Sequence, residues 1–166
     1  MERPLVRRRE LDADAFAALV RPHWSAMARL AQRLAPAGQW EDALQEALAA
    51  AWRKRSQYDE GRGALRSWLF AIVDDQCRKA HRRTHPGVEL VDIVADDAPP
   101  RGRDPDLDRA LGRLTARQRS AIVLHYLFDL PVAEVAEVLG CRPGTVKSTL
   151  ADARGRLRAE LGEEFR

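Results

Sequence analysis

Apolar residues recur every three or four positions through two long stretches of this chain and lose that period between them. In 131–158, PVAEVAEVLGCRPGTVKSTLADARGRLR, Val132, Val135, Ala136 and Leu139 form one apolar stripe, and Val146, Leu150, Ala153 and Leu157 form a second. Gly140 stands where the first stripe stops, a position suited to the left-handed residue that closes a helix. Pro143 falls where the next helix begins, with its missing N–H costing nothing there. The pattern therefore predicts two helices joined by a tight turn. Opposite the second stripe lie Thr145, Lys147, Ser148, Ala151 and Asp152, followed by Arg154, Arg156 and Arg158, with Arg142 in the turn. Small polar and basic groups at the start of a second helix match the helix-turn-helix, whose second helix enters the DNA major groove. An ordinary helical hairpin is the plain alternative. The coincidence of Gly140, Thr145, Val146 and the basic tail favours DNA binding over it.

The N-terminal half has the same period. Phe16, Leu19, Val20, Met27, Leu30 and Leu34 predict an amphipathic helix or a helix pair over 12–34, interrupted near Pro22. After Gly38 a helix over 40–57 turns Ala43, Leu44, Ala47, Leu48, Ala51 and Trp52 inward and Asp42, Gln45, Glu46, Arg53 and Lys54 outward. On its own that outer face reads as solvated. The stretch 58–63, YDEGRG, has turn chemistry and no apolar period, so it is a loop. A third helix then buries Leu65, Trp68, Leu69, Ile72, Val73 and Cys77 and ends in RKAHRR at 78–83. Complementing the helix dipole needs fewer cations than that, so Arg78, Lys79, Arg82 and Arg83 suggest a phosphate-binding surface. From 107 the period resumes with Leu111 and Leu114. Thr115 and Gln118 have the spacing of a capping box, which starts a helix running to about 128. Ile122, Val123, Tyr126 and Leu127 are expected to supply its packing surface.

Composition sets the boundaries. The stretch 86–106 is rich in Pro, Gly and Asp and cannot build a core, so it reads as an acidic, flexible linker, although VELVDIV within it could be a short strand or a docking segment. The expected fold is all-α: a small helical domain over 11–85, the linker over 86–106, and a second helical domain with the helix-turn-helix over 107–162. A length of 166 residues suits that division, and a net charge of +3 with clustered arginines suits an anionic partner. Cys77 and Cys141 fall at apolar helical positions and read as buried thiols in a reducing compartment. No stretch has the apolar core of a signal peptide or the length to span a bilayer, so a cytoplasmic location without membrane insertion is expected. His23, His81, His85 and His125 are scattered, no serine has a nucleophile's setting and no glycine loop cradles a phosphate. Neither an enzyme, a metal site nor a cofactor is expected.

The order of WEDALQEALAAAWRKRSQYDEGRGALRSWLFAI, an acidic stretch, LTARQRSAIVLHY and PVAEVAEVLGCRPGTVKSTL resembles the small two-domain extracytoplasmic-function (ECF) group of bacterial RNA polymerase sigma factors. The resemblance covers nearly the whole chain. It implies that the first lobe is region 2, which binds the clamp helices of core RNA polymerase and opens the promoter near minus 10, and that the second is region 4, which reads the minus 35 element. Asp42, Gln45 and Glu46 then become the clamp contact. Tyr58 and the loop through Gly63, with Arg62, would line a pocket for an unstacked non-template base, while Trp68 stays core. Asp75, Arg78, Lys79, Arg82 and Arg83 join this DNA surface, and Arg142, Thr145, Lys147, Ser148, Ala151 and Asp152 form the duplex-reading one. Asp75 stands where the family often has Asn, and Thr149 and Asp152 where Arg is common, so promoter sequence does not carry over. The resemblance also implies an anti-sigma factor as partner. A free-standing helix-turn-helix regulator is the competing function; it would need a dimer surface or an effector pocket in the first lobe.

Overall fold

In the computed structural model, which describes residues 11–87 and 105–162, every regular element is helical. Helix α1 (Ala13–Val20) starts at Asp12, whose carboxylate accepts the Ala15 N–H at 2.8 Å. Pro22 then tightens the chain into one 3-10 turn, and α2 (Trp24–Leu34) continues beyond it, so the helix pair is the form adopted. Helix α3 (Trp40–Lys54) and helix α4 (Leu65–Thr84) complete the first lobe. Their inner stripes meet: Met27, Leu30, Ala47, Ala51, Leu69 and Val73 are all fully buried. The alanines of α3 let its backbone approach both neighbours, and each buried Leu or Met contributes about 1.5–3 kcal/mol of apolar transfer.

The second lobe comprises α5 (Pro105–Gly112), α6 (Ala116–Ile122), α7 (Val132–Leu139) and α8 (Pro143–Leu161). The capping box forms as its spacing predicts, with Thr115 and Gln118 each accepting the other's backbone N–H at 3.2 Å. Beyond Ile122 the helix does not stay regular. Residues Val123–Leu127 widen into a π-turn, closed by the Phe128 N–H on the Val123 carbonyl at 3.2 Å. That widening rotates Tyr126 and Leu127 out of the packing surface expected of them; they are 47% and 41% exposed. Leu124, Phe128 and Leu130 are buried in their place.

The α7–α8 turn is as the pattern predicts. Gly140 has φ 62°, the Cys141 N–H bonds the Ala136 carbonyl at 3.0 Å, and Pro143 occupies the first turn of α8. Val146, Leu150 and Ala153 face inward. Cys77 is buried, and burial pushes its thiol well up, away from reactivity. Cys141 is not buried; it is half-exposed, because the left-handed step at Gly140 carries it off the α7 stripe and into the turn.

The two lobes pack against each other and share one core. Helix α4 lies along α7, and the rings of Phe70 and Phe128 meet edge to face at 5.1 Å between centroids and 81° between planes. The segment that held the linker and VELVDIV expectations lies, for 88–104, outside the described residues. Among the described residues no helix is long and apolar enough to cross a membrane.

Candidate nucleic-acid and polymerase interfaces

Asp42, Gln45 and Glu46 are all exposed, on one face of α3 opposite the buried Ala43, Leu44 and Ala47. Spacing of three and four residues puts them on adjacent turns, and among the described residues neither carboxylate has an ion-pair partner. The face is therefore an uncompensated acidic and amide patch, able to receive a basic or amide-rich helix.

A cavity of about 400 Å³ opens beside Tyr58, within the size range of small-ligand pockets. Its walls are Tyr58 and Asp59 at the start of the loop, Gly63 and Ala64 just before α4, Ser67, Trp68 and Ala71 in the first turns of α4, and Glu137 from α7. Asp59 folds the loop on itself by accepting the Gly61 N–H at 2.9 Å. Tyr58 and Trp68 are in ring contact at 5.3 Å, tilted by 46°. Trp68 was expected in the core; it is instead half-buried and forms part of this wall, because α4 begins only at Leu65 and its first turn is still at the lobe's edge. Burial, then the negative charges of Glu60 and Asp59, raise the Tyr58 hydroxyl above its ordinary value, so it is a neutral phenol and a hydrogen-bond donor at pH 7. Aromatic rings beside a backbone-exposing glycine suit a stacked base.

The basic end of α4 divides in two. Arg78 is tied to Asp74, Nε to Oδ2 at 2.9 Å, and Lys79 to Asp75 at 2.8 Å. Arg82 and Arg83 are exposed, and among the described residues neither forms an ion pair. Partial burial pulls Asp75 upward, but the Lys79 hydrogen bond and the charges of Lys79, Arg78 and Lys54 outweigh it and hold the carboxyl below its usual value. Asp75 thus neutralises its own helix, and the uncommitted positive charge lies one turn further on.

Asp74 has a role that the sequence reading passed over. It is fully buried on α4, its Oδ1 accepts the Ser120 hydroxyl of α6 at 2.7 Å, and its carboxyl is pushed up by desolvation against the opposing pull of Arg78 and Ser120. The signal was present: Asp74 falls four residues after Phe70 and three before Cys77, on the apolar stripe. Arg119 is a second buried charge at the junction. Its Nε donates to the Leu111 carbonyl at 2.9 Å, and burial lowers it to about 10, with Asp108 acting in the opposite sense.

On α8 the residues Thr145, Lys147, Ser148, Ala151 and Asp152 are exposed along one side, with Arg142 at the N-cap. Ser148 donates to the Thr145 carbonyl at 3.0 Å, which leaves its lone pairs outward. Arg154 is turned aside to the Tyr126 hydroxyl at 3.3 Å. A bare helix face with a Lys and short polar groups, raised on a buried stripe, is shaped for a groove.

Comparison with known proteins assigns both lobes. The Sigma-70 region 2 family matches residues 19–86, and the Sigma-70 region 4 family matches residues 105–157. Over 158 residues the chain is 37% identical to the ECF RNA polymerase sigma factor SigM of Mycobacterium tuberculosis, an alignment covering 91% of this chain and 79% of that one. The chain belongs to the ECF RNA polymerase sigma factors. ECF sigma factor SigL of the same organism is 32% identical over 162 residues, covering 92% of each chain. Among solved structures, the sigma factor RpoE from Bartonella quintana, in complex with the anti-sigma factor NepR, superposes with TM-score 0.72 at 29% identity, over 92% of this chain and 99% of that one. CnrH, in complex with the cytosolic domain of CnrY, superposes with TM-score 0.65 at 27% identity, over 90% of this chain and 89% of that one. As an ECF sigma factor the protein serves transcription initiation by RNA polymerase, with α2–α4 in region 2 and α5–α8 in region 4.

Proposed function

We propose that this sigma factor divides promoter recognition between three surfaces, each a separate patch of side chains. Asp42, Gln45 and Glu46 receive the clamp helices of core polymerase. Thr145, Lys147, Ser148, Ala151 and Asp152, with Arg142, read duplex DNA from α8. The Tyr58 pocket takes a base from the melted non-template strand, with Arg82 and Arg83 on the phosphates upstream of it. The observation that carries this reading is the contrast between the two DNA surfaces: a convex, exposed helix face on α8, and a concave cavity of about 400 Å³ walled by Tyr58 and Trp68 in region 2. A convex helix fits a major groove, and an aromatic cavity fits an unstacked base.

The protein works in this reading by binding alone, without chemistry of its own, in the cytoplasm where polymerase and chromosome meet. Its restraint comes from outside. RpoE and CnrH were each solved with a protein partner, an anti-sigma factor and the cytosolic domain of CnrY respectively, and a comparable inhibitor is the expected partner here. A free-standing regulator has less support, because the region 2 lobe offers an acidic face and a base-sized cavity in place of a dimer surface.

The duplex half is tested with holoenzyme carrying Lys147→Ala and Ser148→Ala. Loss of one good base contact costs about 1–3 kcal/mol, so gel-shift affinity for duplex promoter falls by between about fivefold and 150-fold. Unchanged affinity would remove α8 from promoter reading.

A further inference from the structure

Tyr58 and Trp68 line two cavities, the large one of about 400 Å³ and a second of only about 10 Å³, close to the least that admits one water. The second is closed by Phe16 and Leu19 of α1, by Leu65 at the start of α4 and by Arg55. Where the two rings meet these neighbours they have almost no space to move into, and they stay open toward the base-sized cavity.

Arg55 ties these neighbours together. It follows α3 directly and begins the 3-10 turn Arg55–Gln57, which is closed by the Tyr58 N–H on the Arg55 carbonyl at 3.3 Å. Of the three cations at 53–55, Arg53 and Lys54 are exposed and Arg55 is half-buried. Its Nη1 donates to the Trp52 carbonyl at 2.9 Å, adding a second donor to an acceptor at the open end of α3. Its Nε donates to the Leu11 carbonyl at 2.9 Å, just ahead of α1. The guanidinium lies 3.7 Å from the centroid of the Trp52 ring, and Phe16 of α1 meets the same ring edge to face at 5.3 Å. Two carbonyls and one ring thus fix the residue three positions before Tyr58, and Tyr58 leaves that turn extended, with φ −67° and ψ 130°.

We propose that Arg55 is a positioning residue for strand capture: it contacts no base itself, and it holds Tyr58 against Trp68 in the geometry on which a base of the melted strand stacks. The proposal rests on the reading of the Tyr58 cavity as the single-strand site. The loop 58–63 carries two glycines, which left to themselves give the chain around Tyr58 wide conformational freedom. An aromatic ordered before the strand arrives spares the complex the entropy of ordering it on binding. The shape of the guanidinium matters here more than its charge. A lysine keeps the charge, but one ammonium neither forks to two carbonyls nor stacks on an indole as a guanidinium does.

The test uses holoenzymes made with the wild type, Arg55→Ala, Arg55→Lys, Tyr58→Ala, and Arg55→Ala combined with Tyr58→Ala. Fluorescence anisotropy over a range of salt gives affinity for a fluorescein-labelled single-stranded oligonucleotide with the non-template sequence of one promoter's opened region, and gel shift gives affinity for the same promoter as duplex. Arg55→Ala and Arg55→Lys are each expected to weaken strand binding by about twofold to tenfold, with duplex affinity and the salt dependence of strand binding unchanged. In the Tyr58→Ala background Arg55→Ala is expected to cost nothing more, because Arg55 acts through Tyr58. Additive losses overturn the proposal. So does a lysine variant with wild-type affinity, or a shallower salt slope, since either makes Arg55 a phosphate contact. Loss of strand and duplex binding together also overturns it, and makes Arg55 a residue of general stability. Tyr58→Ala that binds the strand like the wild type overturns the pocket reading itself, whereas a loss for Tyr58→Ala beside none for Arg55→Ala overturns this proposal alone.

Discussion

Asp42→Arg with Glu46→Arg is expected to leave the chain folded and to weaken its binding to core RNA polymerase by more than about 100-fold. Both side chains are exposed and hold no ion-pair partner among the described residues, so their replacement breaks no ion pair there. The one internal cost is at the helix start. Asp42 lies in the first turn of α3, where a negative charge is favourable, and a positive one there costs about 0.3–1 kcal/mol. Against a complementary partner the same reversal replaces attraction by repulsion at two adjacent turns, and removing one member of a desolvated charge pair costs about 2–5 kcal/mol, much of it from the charge left unpaired. Circular dichroism with thermal melting separates the two effects from a pull-down with core polymerase. A folded double mutant that still binds core would remove α3 from the polymerase interface.

Phe70→Ala is expected to be the most damaging single truncation. Phe70 is fully buried on α4, packs edge to face on Phe128, and lies 5.1 Å under the guanidinium of Arg66. Removing a buried Phe costs about 3–5 kcal/mol, a large share of the stability of a domain this size. For a chain of this length that lowers the melting temperature by at least about 6 °C. Calorimetry on the purified chain measures it, and a shift of only a degree or two would show that Phe70 does not anchor the α4 packing.

Local chemistry made much of this fold legible. Gly140 and Pro143 fix the α7–α8 turn through the few residues that tolerate a left-handed step or a missing donor, and Thr115 and Gln118 start α6 by satisfying each other's backbone. The π-turn was hidden, because a search at the helical period assigns Tyr126 and Leu127 inward and cannot see a wider turn that rotates them out. Cys141 was misplaced for a related reason: the period was continued one residue past the glycine that ends it.

The outward faces of α3 and α8 could be read from the helical period alone, although by that period the α3 face reads only as solvated and takes a role through the family resemblance. Residues whose contacts lie on the other lobe could not. Glu134 and Glu137 look like an ordinary solvated helix edge until α7 is laid against α4, and Ser120 and Asp74 are 46 residues apart in sequence. Only Asp74 announced itself, as a carboxylate on an apolar stripe. Arg78 and Lys79 read as phosphate ligands in a basic run, whereas the structure commits them to Asp74 and Asp75 and leaves Arg82 and Arg83 outward.

The division of labour between the lobes is tested most directly by permanganate reactivity of the melted region, measured on one promoter with wild-type and Tyr58→Ala holoenzymes alongside gel-shift affinity for the same duplex. Loss of one stacked base costs about 1–3 kcal/mol. Tyr58→Ala should therefore bind duplex promoter like the wild type while its thymine reactivity in the opened region falls by between about fivefold and 150-fold. A Tyr58→Ala holoenzyme that opens the promoter as well as the wild type, or that loses duplex binding and melting together, would contradict the assignment of strand capture to the region 2 pocket.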